Sequence, residues 1–197
     1  RMRIIGGTAA GKILRAPKGL NVRPTPDLVR QAIFNSLGDR VEGANVLELF
    51  GGTGALSLES LSRDAKSAVV IELSGKHGRF IEQNHKTCNL PPGSMKVRIQ
   101  DVFVSIQKLL EAGQQFDLIF ADPPFGEKNV GKRSESLSQK SLDDESLPKL
   151  LAPDGFFVLG HCKRDTLEVP SHWNERKEMK HGDSCMRFLS PTENTRP

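Results

Sequence analysis

Short apolar runs alternating with helical periodicities restrict this chain's fold more than any other feature. The runs are Asn45–Leu49, Ser67–Ile71, Lys96–Ile99, Phe116–Ala121 and Phe156–Leu159, most of them rich in Val, Ile, Leu and Phe. Such composition suits strands buried on both faces. Helical stretches lie between them at about 54–63, 75–88, 102–112 and 141–151. The alternation predicts an α/β fold, a doubly wound, mostly parallel sheet with right-handed crossovers. A helix should precede the first strand, with Thr25 as N-cap and Pro26 at its first position. Leu28, Val29, Ala32, Ile33 and Leu37 then recur at helical spacing, and Gly38 is placed to end it. Near the end the rhythm changes. Trp173–Lys180 and Cys185–Leu189 flank His181-Gly182-Asp183, which predicts a closing antiparallel hairpin.

Residues 2–23 are short extended pieces broken by Gly6-Gly7, Gly11 and Pro17-Lys18-Gly19, as in a small hairpin or arm. The expected organisation is an arm over 1–24, the α/β domain over 25–190 and a tail over 191–197. Residues 126–141 are polar and partly basic, and read as a mobile loop. A chain of 197 residues with 37% hydrophobic and 26% charged residues is globular and long enough for one real core. No apolar run approaches the ~20 residues of a membrane span, and no secretory signal opens the chain, so a cytoplasmic address is expected. Cys88, Cys162 and Cys185 are odd in number, far apart and without a CxxC pair, which indicates neither a disulfide framework nor a zinc site.

Charge is distributed unevenly. Lys and Arg number 28 against 24 Asp and Glu, but residues 1–30 hold seven basic groups (Arg1, Arg3, Lys12, Arg15, Lys18, Arg23, Arg30) against Asp27 alone. The remaining 167 residues then carry 21 basic and 23 acidic groups. By charge alone, this block fits a solvated arm and a phosphate-reading extension equally well.

The first strand runs into Glu48-Leu49-Phe50-Gly51-Gly52-Thr53-Gly54 and a helix. Glycines there allow a tight turn and close approach to a ligand beneath the helix N-terminus. Gly52 and Gly54 match the first two positions of a dinucleotide fingerprint, but Ser57 stands at the third, which disfavours a diphosphate-binding dehydrogenase. The second strand ends in Glu72, 18 residues beyond Gly54, where an acid can accept from ribose hydroxyls. The third ends at Gln100-Asp101-Val102, where a carboxylate and a backbone N–H could read an adenine. Together these predict a nucleoside-containing cofactor. The fourth strand runs into Asp122-Pro123-Pro124-Phe125. The prolines remove two backbone donors and leave carbonyls outward. A carboxylate plus such a carbonyl can accept both hydrogens of an NH₂ group, while Phe125 stacks on a planar ring.

In this order the motifs resemble the class I S-adenosylmethionine-dependent methyltransferases, of Rossmann-like fold, that modify exocyclic amino groups. Gly6-Gly7, Gly11-Lys12, Arg23-Pro24-Thr25-Pro26-Asp27, Val29-Arg30 and Ile33-Phe34-Asn35 narrow the resemblance to the RsmD family, which methylates N2 of a guanine in small-subunit (16S) ribosomal RNA. The likeness extends through Leu151-Ala152-Pro153-Asp154-Gly155 to Gly182-Asp183-Ser184. It implies that Gly51, Gly52 and Gly54, with Phe50 in the same run, cradle the methionyl part of S-adenosyl-L-methionine near Glu48. By the same likeness Glu72 would hold the ribose, Asp101 and Val102 the adenine, and Arg23, Thr25 and Asn35 would close the pocket. Asp122 and the Pro123 carbonyl would grip the guanine amine, with Phe125 on the base. The implied partner is ribosomal RNA in an assembled or assembling subunit, with a monomeric protein, no metal and no membrane. Arg3, Lys12 and Arg15 in the arm, and Lys128, Lys132 and Arg133 after Phe125, are candidate phosphate contacts.

The family commonly has Asp at Glu48, Ala at Gly51 and Ser at Thr53, mild changes that keep the carboxylate and the turn. Gly160 stands where an acidic residue often precedes the histidine, here His161, and no role attaches to it at this level. Two other functions share some of these features. One is amino-group methylation of DNA adenine or a protein glutamine. The other is a binding module without catalysis, against which the intact Asp122-to-Phe125 run argues. The five histidines show no ligand spacing, and Trp173 reads as core.

Overall fold

A computed structural model describes residues 1–18, 25–125 and 132–193. Its elements are α1 (Asp27–Leu37), β1 (Asn45–Leu49), α2 (Ala55–Ser62), β2 (Ser67–Glu72), α3 (Gly75–Thr87), β3 (Met95–Ile99) and α4 (Val102–Glu111). β4 (Phe116–Ala121), α5 (Leu137–Asp143), β5 (Leu151–Cys162), β6 (Trp173–His181) and β7 (Ser184–Pro191) follow. The strands form one seven-stranded sheet in the order β3-β2-β1-β4-β5-β7-β6. β1 with β2, β2 with β3 and β4 with β5 pair in parallel, whereas β5–β7 and β6–β7 are antiparallel. This is the doubly wound sheet with a closing hairpin that the alternation predicts. The chain folds as two compact units, Arg1–Ser105 and Ile106–Pro197.

In the first unit, β1 and β2 supply a core of Val46, Leu47, Leu49, Val70 and Ile71. β3 departs from expectation. It lies at an edge of the sheet, is only partly buried, and exposes Lys96 and Ile99. The helix before β1 starts one residue later than the capping signal suggests. Pro26 is the N-cap, its carbonyl accepting from Arg30 N, while the Thr25 carbonyl accepts from the Arg30 side chain. Gly38 ends α1 with φ 53, as its position implies.

Helix α2 is buried along its whole length, including Ser57, Glu59, Ser60 and Ser62. A charge on such a helix is costly without partners. Glu59 has them. Its carboxylate accepts from Ile5 N (2.9 Å), Gly6 N (2.8 Å) and Arg63 Nε (3.0 Å), and stands 3.5 Å from the guanidinium of fully buried Arg30. Arg30 also donates to the carbonyl of Arg3 and to Asp27. Ser62 completes the attachment, donating to Gly6 O and accepting from Ala9 N. A side chain at Gly7 would fall 1.8 Å from the Ser62 carbonyl oxygen, so only glycine fits there. The arm is a hairpin with an Arg3–Ile13 bridge, and its backbone is pinned on α2.

In the second unit, β4 and β5 are lined by Phe116, Leu118, Ile119, Phe120, Phe157, Val158 and Leu159. β5 begins earlier than its apolar core suggests. Leu151 pairs with Phe116, then the register shifts before Leu118 pairs with Phe156, which accommodates Pro153 and Asp154 at φ 64. The helical stretch expected at 141–151 is two pieces. Ser136 caps α5 through Gln139 N, and the Asp144 side chain accepts from Ser146 N and Leu147 N, breaking the helix before a 3₁₀ turn at Leu147–Leu150. The expected loop therefore ends at Ser136. Its residues 126–131 lie outside the described structure.

Replacing Glu59 with Ala strands a buried guanidinium, so the variant should lose about 3–5 kcal/mol in urea unfolding. A loss below about 1 kcal/mol, the scale of an exposed pair, would mean that this carboxylate does not hold the arm.

Candidate active site

The glycine loop joins β1 to α2 in the first unit. Phe50, Gly52 and Gly54 have φ of 56°, 59° and 74°. A left-handed conformation is strained at Phe50, and such strain clusters at ligand sites. Packing also requires glycine here. A Cβ at Gly51 would lie 2.5 Å from Val70 Cγ1, and one at Gly54 would lie 2.7 Å from Ile81 Cγ2. These two glycines let the loop settle onto β2 and α3.

Two nearly buried carboxylates hold this loop. Glu48 Oε1 accepts from Ser57 N at 2.9 Å, in the first turn of α2. Glu72 Oε1 accepts from Gly52 N at 3.0 Å and its Oε2 from Ser74 N at 2.6 Å, with His77 Nδ1 at 3.6 Å. Asp101 is exposed, and its Oδ1 caps α4 by accepting from Phe103 N and Val104 N. Val102 is buried. Phe50 meets Phe103 edge-on, centroids 6.4 Å apart. Leu73, Ile99 and Val104, which the sequence did not single out, are exposed beside Glu72 and Asp101 in the chain. Thr25 lies before α1, Asn35 is exposed on α1, and Arg23 falls outside the described residues.

In the second unit, Asp122 follows directly on β4. It is half-buried, Pro123 is buried and Phe125 is 39% exposed. The last β4–β5 pair is Ala121 with Leu159, so Asp122 leaves β4 level with Gly160, which continues in β5. Next to Gly160, His161 is buried. Its Nε2 faces Arg187 Nε at 3.0 Å and its Nδ1 faces the Cys162 carbonyl at 2.8 Å. Since Arg187 can only donate, the ring is neutral with its proton on Nδ1.

Among the candidate phosphate contacts, Arg3, Lys12 and Arg15 expose their side chains while their backbones are tied down. Arg15 N and O pair with the Asn84 amide, Lys12 O accepts from Ile4 N, and Arg3 O accepts from Arg30, while the Arg3 side chain lies 3.5 Å from Asp27. Arg30 belongs to the buried cluster, so its charge must be taken out of the basic block. Lys132 is exposed and Lys128 falls outside the described residues. Arg133 donates to both oxygens of Asp143 (2.8 and 2.9 Å) and to Glu168 (3.2 Å), so a phosphate would have to displace two carboxylates. Among the described residues, no group of His, Cys, Asp and Glu is arranged to hold a metal ion, and no helix is long and apolar enough to cross a membrane.

A family model described as Conserved hypothetical protein 95 matches residues 2–190. The chain belongs to this family, the RsmD family of the resemblance. YlbH of Bacillus subtilis strain 168, provisionally named an rRNA methyltransferase, is 32% identical over 169 residues, 86% of either chain. Ribosomal RNA small subunit methyltransferase D of Escherichia coli K12 is 30% identical over 189 residues, 95% of this chain and 89% of that one. The solved structure of yhhF from Escherichia coli, provisionally named a methyltransferase, has a TM-score of 0.77 and 28% identity, covering 96% of this chain and 97% of its own. This RsmD-family chain thus aligns with most of the length of these relatives and shares the fold of the solved one.

Burial, followed by the charge of Arg187, holds His161 below the ordinary histidine value against the opposing pull of the Cys162 carbonyl. Burial lowers His85 as well. A base lowered in the folded state stabilises the fold fully above its unfolded value of about 6.5, and the stability is lost as pH falls below it. The urea midpoint should therefore drop between pH 7 and pH 5.5, and less steeply in His161→Gln. Equal slopes in both proteins would show that His161 does not titrate in this way.

Proposed function

We propose that this RsmD-family chain transfers a methyl group from S-adenosyl-L-methionine to the exocyclic N2 of a guanine in small-subunit ribosomal RNA. The carrying observation is the Asp122-Pro123-Pro124-Phe125 run held at the end of β4 in a chain of this family. The relatives named as rRNA methyltransferases point to the same substrate class. In this reading the RNA is met in the cytoplasm, within an assembled or assembling subunit, by a monomer.

The donor set of the first unit suits this cofactor better than a dinucleotide. A diphosphate would seek the free amides of the α2 N-terminus, but Glu48 already occupies that turn with a negative charge. Carboxylates at Glu48 and Glu72 suit an ammonium group and ribose hydroxyls, and the Gly51–Gly54 backbone would hold the methionyl part. Leu73, Ile99 and Val104 offer apolar surface for a purine, with Asp101 and the Val102 N–H at its edge. Bound there, the cofactor supplies an activated methyl group on a sulfonium that is already a good leaving group.

The chemical task left to the protein is the nucleophile. A guanine N2 lone pair is delocalised into the ring and attacks poorly. Asp122 and the Pro123 carbonyl would accept its two N–H bonds and turn the lone pair out of the ring plane. Phe125, partly exposed, would hold the base by stacking. Alignment for in-line displacement then provides the rate. The exposed Arg3, Lys12 and Arg15 side chains would hold the RNA backbone on the arm.

The deciding experiment is methyl transfer to undermethylated small subunits with mass spectrometry of the nucleosides. N2-methylguanosine is expected, and a different methylated nucleoside would overturn the assignment. Asp122→Ala should lower the rate ~100-fold or more at nearly unchanged cofactor affinity. An undiminished rate would remove Asp122 from the mechanism. Truncating Arg3, Lys12 and Arg15 together to Ala spares the backbone pins, so stability should hold within about 0.5 kcal/mol. RNA affinity should fall, with the salt slope reduced by about two to three. An unchanged slope would place the phosphate contacts elsewhere.

A further inference from the structure

The seat of the Asp122 carboxylate is set by Gly160. A Cβ built on Gly160 would lie 2.2 Å from Asp122 Oδ1 and 2.8 Å from Asp122 Cγ. No atom pair of this kind tolerates such a distance, so the carboxylate occupies the space that any other residue at 160 would fill. This follows from the register. Ala121 and Leu159 are the last pair between β4 and β5, so Asp122, the first residue after β4, comes level with Gly160 in β5. The opposite side of the seat is closed by Met186, the antiparallel partner of Gly160 on β7, whose Sδ would lie 3.1 Å from that Cβ. The Gly160 backbone is itself held in place. Its carbonyl accepts from the Oγ of buried Ser138 on α5 at 2.9 Å.

We infer that Gly160 is a positioning residue for the proposed methyl transfer: its missing side chain lets the Asp122 carboxylate lean onto β5 and fixes where that carboxylate meets the target amine. The inference rests on the function proposed above. The atoms that a new methyl group at 160 would strike first belong to the tip of a short side chain. The cheapest relief is rotation of Asp122, which leaves the strands undisturbed. Substitution at 160 therefore acts on the catalytic geometry before it acts on the fold.

The test is a double-mutant cycle with Gly160→Ala, Asp122→Ala and the double variant, each assayed for single-turnover methyl transfer, S-adenosyl-L-methionine affinity and thermal unfolding. Gly160→Ala should stay folded, bind cofactor as the parent does, and lose roughly 10- to 100-fold in rate, the scale for misplacing a reacting group by about 1 Å. In the Asp122→Ala background the carboxylate is gone, so Gly160→Ala should lower the rate no further. Ser138→Ala, which frees the Gly160 carbonyl without filling the seat, should cost much less than Gly160→Ala. Parental activity in Gly160→Ala beside an inactive Asp122→Ala overturns the inference alone. An equal further loss in the Asp122→Ala background also overturns it, because Gly160 would then act through something else. Full activity in Asp122→Ala overturns the mechanism on which the inference rests.

Discussion

The carboxylate of Glu59 is the interaction on which the first unit depends. It sits on a helix with no solvent-facing side and collects two arm amides, one arginine from α1 and one from its own helix end. An isolated charge at this depth would oppose folding, and only the complete set of partners makes it tolerable. The arm is therefore part of the core and no appendage. Its backbone lies over α2, and its basic side chains are left outside. One segment thus serves two purposes through different atoms, main chain for attachment and side chains for charge.

The same division appears around the glycine loop. Glu48 and Glu72 accept from backbone N–H groups of the loop and its flanking turns, so the carboxylates proposed to meet the cofactor also shape the loop. In the second unit the comparable arrangement is simpler. β4 ends beside a strand that runs on, and that strand contributes a residue with no side chain where Asp122 needs room.

Much of this was legible in the sequence. β1 and β4 have the bounds that their apolar runs suggest, and Gly38 ends α1 where expected, because buried strands and glycine stops are written locally. β5 was read short because Pro153 and Asp154 interrupt its apolar pattern, yet the sheet absorbs them in a bulge. The helix expected at 141–151 was lost to an Asp144 turn that competes with it. Glu59 carries a visible sign, an acid among Leu56, Leu58 and Leu61, but its two partners in the arm lie 53 and 54 residues away. The apolar Leu73, Ile99 and Val104 look like ordinary strand and helix residues until burial shows them exposed. Gly160 was legible only as a departure from the family, since what a missing side chain makes room for is a matter of three-dimensional register.

The sheet has two open edges: β6 is polar along its exposed residues, and β3 sets Lys96 on the same strand as the exposed Ile99. β6 presents Asn174, Glu175, Arg176, Lys177 and Glu178 to solvent, with a register shift after Glu175, and β3 exposes Lys96. Unpaired strand edges are templates for any other extended chain, and charge with a local irregularity is what makes them refuse one. At these edges the charged residues act as a guard against adhesion. Their loss would be felt as aggregation.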